Sequence, residues 1–89
     1  MAVLVTAEVP GMTPGAYDGM VTALRDKMKH ARGFIAHGAG MSDGGWRVVE
    51  LWETTEDATK WFTENVQPNL PPGITPKRTL VTLHNLITK

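Results

Sequence analysis

One segment constrains the fold of this chain more than any other, because it joins a strand to a helix without a loop. It reads Trp46-Arg47-Val48-Val49-Glu50-Leu51-Trp52-Glu53-Thr54-Thr55-Glu56-Asp57. At the strand spacing of two, Trp46, Val48, Glu50 and Trp52 share one face. Thr54 or Thr55 then supplies a helix N-cap, and Glu56 and Asp57 suit the positive end of the helix that follows. The unusual member is Glu50, a carboxylate set between large aromatics. Burying it is costly unless it is paired or put to use.

The remaining elements can be laid out around this junction. Residues 2 to 9 alternate like a strand and stop at Pro10-Gly11. Thr13-Pro14 reads as an N-cap followed by proline at the first helical position. Tyr17, Met20, Val21, Leu24, Met28 and Ala31 recur at helical spacing, and Gly33 ends that helix. Phe34 to Met41 reads as a second strand, joined to the third (residues 46 to 53) by a turn at Asp43-Gly44-Gly45. Ala58, Trp61, Phe62 and Val66 mark the buried stripe of the second helix. Residues 67 to 77 carry Pro68, Pro71, Pro72 and Pro76 and read as a loop. Arg78 to Ile87 reads as the last strand. The order strand, helix, strand, strand, helix, strand is the ferredoxin-like α+β plan, an antiparallel four-stranded sheet with both helices on one face.

Eighty-nine residues make one domain, residues 1 to 89. A domain of this size has little core of its own, and a second copy laid on the open face of the sheet would supply cover, giving a homodimer. Nine basic residues balance nine acidic ones, so no electrostatic footprint marks a nucleic-acid or membrane-surface partner. There is no cysteine, which excludes disulfides and thiolate chemistry and fits a cytoplasmic protein. The start Met1-Ala2-Val3-Leu4-Val5 reads as a strand rather than a signal peptide. No apolar run approaches the roughly 20 residues of a membrane span.

Assigning the more uniformly apolar or small residues of each strand to the helices places Val3, Val5, Ala7 and Val9 there. The same rule sends Ala36, Gly38 and Gly40, then Val49 and Leu51, then Val81, Leu83 and Ile87 to the helix side. The opposite face then carries Thr6, Glu8, His37, Glu50, Thr82 and His84 among apolar and aromatic residues, among them Val48, Trp52 and Leu80. That mixture is the composition of a small-molecule pocket.

The plan, together with the pattern Glu50-Leu51-Trp52-Glu53-Thr54 ending strand three and the acidic-capped helix bearing Trp61-Phe62, resembles the antibiotic biosynthesis monooxygenase family of dimeric α+β barrels. The resemblance in plan covers nearly the whole chain. In sequence it is specific over about twenty residues. It implies two sheets packed face to face, with a pocket within the barrel or between each sheet and its helices. It also implies cofactor-free chemistry, in which a phenolic substrate is deprotonated and its anion reacts with oxygen. Trp61 matches the family's helix-two tryptophan, Arg78 loosely matches a basic residue on strand four, and Asp57 stands where the family has an asparagine. The haem-degrading branch requires a histidine soon after that tryptophan, and none occurs between His37 and His84.

Several candidate roles follow. His37, oriented by Glu50, is a candidate general base, and His84 a second acid/base or donor. Trp46, Trp52 and Trp61 are candidates to shape the pocket and stack on a planar substrate, and Arg78 to bind a carboxylate or enolate. Each also has a structural reading: buried ion pairing for Glu50, core or interface packing for the tryptophans, solvation for His84 and Arg78. The three histidines lack ligand spacing, so neither a metal nor another cofactor is expected. The reading is a monooxygenase of an aromatic or polyketide-like molecule. A cyclase or isomerase using the same base, and a non-catalytic ligand-binding or oligomerisation module, are the alternatives.

Overall fold

The computed structural model describes all 89 residues, Met1 to Lys89. Its elements are β1 (Val3–Glu8), α1 (Pro14–Lys29), β2 (Phe34–Ser42), β3 (Gly45–Trp52), α2 (Thr55–Trp61) and β4 (Lys77–Thr82). The strands form one sheet in the order β2-β3-β1-β4, and every neighbouring pair is antiparallel. The ferredoxin-like plan read from the sequence is the plan of the molecule.

The helix starts follow their caps. The Thr13 hydroxyl accepts from the Ala16 N–H at 3.1 Å, and the Thr54 hydroxyl accepts from the Asp57 N–H at 3.0 Å. Each satisfies one of the four donors that a helix start leaves free. Between α1 and β2, Gly33 adopts φ 80°. A Cβ there would run into the Asp57 side chain, so both the conformation and the space favour glycine. After Trp61 the helix widens into a π turn over Phe62–Val66 and then a 3-10 turn over Gln67–Asn69. The buried Asn65 donates its side-chain amide to the Trp61 carbonyl at 3.3 Å, and Asn69 donates to the Asn65 carbonyl at 2.6 Å. These amides cover carbonyls that the irregular turns would otherwise leave bare.

Strand β1 presents Val3, Val5, Ala7 and Val9 to the helices as expected, and all four are buried. The other three strands are reversed relative to the reading above. Val3 pairs with Trp52, Val5 with Glu50 and Ala7 with Val48 across β3. On the other side Val3 pairs with Thr82, Val5 with Leu80 and Ala7 with Arg78. Directly opposed residues share a face, so Trp52, Glu50, Val48, Leu80 and Arg78 lie beneath the helices. Val49 and Val81, expected in the core, are 41% and 49% exposed on the open face. The physical reason is volume. The two strand tryptophans bury far more apolar area than valine or glycine, so they take the covered side, and period-two geometry carries Glu50 with them.

In β2 a bulge completes the reversal. Phe34 pairs with Trp52, yet Ala36 pairs with Leu51 and His37 with Glu50. Ile35 is the extra residue. One inserted residue switches parity, so Phe34 and His37, an even and an odd position, both face the helices. The last strand is also shorter than expected. Its ladder with β1 ends at the Leu83 N–H to Ala2 carbonyl bond of 2.8 Å, and residues beyond it have no strand to pair with.

The core has two centres. Val3, Val5, Met28, Trp52, Ala58 and Trp61 form the larger, and Ala7, Val9 and Trp46 the smaller. Ala58, 1% exposed, lets α2 sit close to the sheet. Helix α1 stands further off, and the space beneath it is the cavity described next.

Candidate functional site

Between α1 and the sheet lies a cavity of about 90 Å3 that opens to solvent and has room for several waters. Fifteen of the nineteen lining residues are hydrophobic, so the polar ones stand out: Tyr17, His37, Glu50 and Arg78.

Three of these form one connected chain. The Tyr17 hydroxyl lies 2.5 Å from His37 Nε2, and His37 Nδ1 lies 2.6 Å from Glu50 Oε2. The other carboxylate oxygen, Glu50 Oε1, accepts from the Trp52 indole N–H at 2.9 Å. The His37 and Glu50 side chains are 16% and 11% exposed. An ionised carboxylate only accepts, so the proton of neutral His37 sits on Nδ1, leaving Nε2 to accept from Tyr17. Glu50 is therefore paired and hydrogen-bonded, which is what permits its burial.

Each member arrives by a different route. Tyr17 projects from the first turn of α1, fixed by the Thr13 cap and Pro14. His37 reaches the cavity because of the bulge at Ile35. Glu50 is held between Trp52 and Val48 on the covered face of β3. Burial raises the Tyr17 pKa above its ordinary value, with the Glu50 and then Asp18 charges adding to the rise and Arg25 opposing it. The phenol thus stays protonated through neutral pH.

Arg78 enters from β4, beside Ala7 in the register. Its guanidinium carbon stands 4.1 Å from the centre of the Phe62 ring, a cation–π contact. Burial lowers its pKa, and the Glu50 carboxylate pulls in the opposite direction. It remains a cation at neutral pH.

Of the residues proposed from the sequence, His37, Glu50, Trp46, Trp61 and Arg78 all line the cavity. Two do not. Trp52 is 0% exposed and packs edge-on against Phe34 and tilted against Trp61. It backs the site by its bond to Glu50 and offers no face to a ligand. His84 lies beyond the end of β4 and is exposed, because the pairing that would have carried it into the sheet stops at Leu83. Asp57 is also elsewhere, beside Arg32 at 3.9 Å and under Gly33. The residue that sequence reading missed is Tyr17. Helical periodicity marks it only as an apolar position of α1, although a chain's single tyrosine on a stripe otherwise without hydroxyls is a usable signal.

On the opposite, open face, Glu8 is paired with Arg47 and accepts from the Ser42 hydroxyl at 3.2 Å. Strand alternation alone groups Glu8 and Thr6 with His37 and Glu50. The sheet separates them. No helix is long and apolar enough to cross a membrane.

The arrangement is a ferredoxin-like sheet with an apolar chamber under its helices and a polar chain along one wall. Among solved structures it is similar to SnoaB, a cofactor-independent oxygenase from Streptomyces nogalater, with TM-score 0.65, 13% identity and coverage of 99% of this chain and 98% of that one. It is also similar to a monooxygenase from the gene ActVA-Orf6 of Streptomyces coelicolor in complex with nanaomycin D, with TM-score 0.55, 17% identity and coverage of 99% and 91%. The haem-degrading protein Rv3592 from Mycobacterium tuberculosis matches with TM-score 0.54, 19% identity and coverage of 92% and 91%. No protein-family model and no curated protein sequence matches the chain. These likenesses establish a shared fold.

Proposed function

We propose that this protein is a homodimeric enzyme of the antibiotic biosynthesis monooxygenase type, which oxidises a planar phenolic or polyketide-like molecule without a cofactor. The observation that carries this reading is the placement of the His37–Glu50 pair on the wall of a chamber otherwise lined by apolar side chains. A buried polar pair built only for stability is weakly favourable at best, whereas a base facing an apolar slot has an evident use. The fold shared with oxygenases supports the same reading by analogy.

In the proposed reaction the substrate sits between α1 and the sheet, its ring against Trp46 and Trp61. Its phenolic proton passes to His37, and Glu50 balances the imidazolium through Nδ1–H. Arg78 faces the resulting anion and disperses its charge. The anion shares its charge with a ring carbon that still bears one hydrogen. That carbon bonds dioxygen, and His37 returns its proton to the distal oxygen, giving a hydroperoxide. Loss of water then leaves a carbonyl. One oxygen atom stays on carbon, the other leaves as water, and the substrate supplies all four electrons.

Glu50 is satisfied by the side chains of His37 and Trp52 rather than by backbone donors, which favours an enzyme over a closed packing module. A hydroxylated anthrone, assayed with an oxygen electrode in chelator-treated buffer, tests the reading. The expected result is one O2 consumed per carbonyl formed. Product formed without oxygen uptake would assign the base to a cyclase or isomerase, and full turnover by His37→Gln would remove the base assignment.

A further inference from the structure

We propose that Tyr17, rather than His37, is the group that takes the proton from the substrate, and that it hands its own proton to His37 in the same step. This inference rests on the proton-abstracting role proposed for the His37–Glu50 pair and changes which atom touches the substrate.

The geometry leaves His37 no free nitrogen. Nδ1 is bonded to Glu50 at 2.6 Å and Nε2 to the Tyr17 hydroxyl at 2.5 Å. An imidazole accepts a proton only at a nitrogen lone pair, and the single lone pair of this tautomer points at Tyr17. A substrate hydroxyl therefore cannot reach the base while the chain is intact. The Tyr17 oxygen, by contrast, donates one hydrogen bond and keeps acceptor capacity. It also belongs to a residue that lines the cavity.

The step balances without further reagents. The substrate O–H proton moves to Tyr17 Oη as the Tyr17 O–H proton moves to His37 Nε2. Tyrosine ends neutral, His37 becomes imidazolium, and the substrate becomes an anion. The imidazolium keeps its partner, because Nδ1–H already points at the Glu50 carboxylate. The Tyr17 hydroxyl has reversed direction and now donates to the substrate oxygen. No tyrosinate needs to persist, which suits a phenol whose ionisation burial and the Glu50 charge disfavour.

The charged groups around Tyr17 come from several elements. Asp18 and Arg25 belong to α1, His37 to β2 and Glu50 to β3, and Arg78 of β4 interacts with Glu50 in turn. Trp46 packs on the ring at 5.0 Å between centroids and holds it in place. Because Tyr17 is the only tyrosine, replacing all tyrosine with 3-fluorotyrosine labels this one site.

The probe is 2-naphthol, whose absorbance distinguishes its neutral and ionised forms. Bound to the wild-type protein it should ionise at least tenfold more readily than in water. Tyr17→Phe, which removes one oxygen atom, should bind naphthol with affinity within a few-fold and lose that tenfold gain. In the fluorotyrosine protein the fluorine resonance should shift with the same midpoint pH as naphthol ionisation, since the hydroxyl changes partner. Retention of the gain by Tyr17→Phe would overturn the relay and return direct proton transfer to His37. A fluorine resonance indifferent to naphthol ionisation would overturn it too. If His37→Gln also kept the gain, the underlying base assignment would fall with it, which separates failure of the relay from failure of the proposed function.

Discussion

Two tryptophans on one strand show how much a single polar atom decides. Trp52 gives its indole N–H to Glu50 at 2.9 Å, whereas the Trp46 indole N–H is buried and unpartnered. Replacing Trp52 with Phe removes a hydrogen bond to a charged group, so it should cost about 1.5–3 kcal/mol from that bond, beyond the lost packing. Trp46→Phe removes a donor that was already unsatisfied and should cost only its packing. Urea unfolding of the two variants checks this, and equal losses would contradict it. Tyr17 makes a second prediction. Its folded pKa is raised, so at pH above the ordinary tyrosine value of about 10 the unfolded chain binds fewer protons than the folded one. Stability contributed by Tyr17 should be fully present below that value and lost as pH rises through the higher folded pKa. Tyr17→Phe should show a flatter stability profile on the alkaline side. The His37–Glu50 pairing was legible in the residues themselves, since both histidine and carboxylate stood out on strands. Tyr17 was not, because helical periodicity records that a residue is buried and says nothing of what its hydroxyl meets.

At the scale of elements, the bulge at Ile35 sets which face His37 takes. Phe34 and His37 are three positions apart in sequence, and the extra residue between them lets both lie beneath the helices. Deletion of Ile35 leaves them two apart, the ordinary strand spacing, and is expected to keep the far-ultraviolet circular dichroism, oxygen uptake and naphthol ionisation. One residue inserted between Ala36 and His37 should instead turn His37 to the open face and abolish the last two. An insertion variant that retains both would show that strand register does not position His37. Gly33 is a similar hinge between α1 and β2. Its φ of 80° and the nearby Asp57 carboxylate predict that Gly33→Ala loses about 1–3 kcal/mol, measurable as a lower Tm. The strand and helix order was readable because caps, prolines and glycines punctuate this chain clearly. Which face of each strand was covered was not, for β2, β3 and β4. Alternation defines two faces without saying which one meets the helices, and small residues such as Gly38 and Gly40 suggested a close approach that the tryptophans made unnecessary. The π turn after Trp61 was also hidden, although the spacing from Trp61 to Val66 is that of a widened turn.

For the whole molecule, two faces of one sheet carry different tasks. The covered face bears the cavity. The open face carries Leu4, Ile35, Val49, Leu51 and Val81, of which Ile35, Val49 and Val81 are at least 40% exposed. The proposed homodimer would bury this face, and Val49→Glu should convert dimer to monomer in light scattering while leaving the cavity residues in place. A wild-type monomer at micromolar concentration would contradict the dimer without touching the site. The four-layer barrel implied by the family resemblance depends on that association, whereas the chamber beneath α1 is complete within a single chain. In the proposed function this chamber receives a planar phenol against Tyr17, His37, Glu50 and Arg78. A crystal structure of the protein grown with a hydroxylated naphthoquinone tests it most directly. The ligand should lie between α1 and the sheet, with one oxygen within hydrogen-bond distance of the Tyr17 hydroxyl and another facing the Arg78 guanidinium. A chamber closed by its own side chains, with the ligand absent or held on the open face of the sheet, would contradict the account.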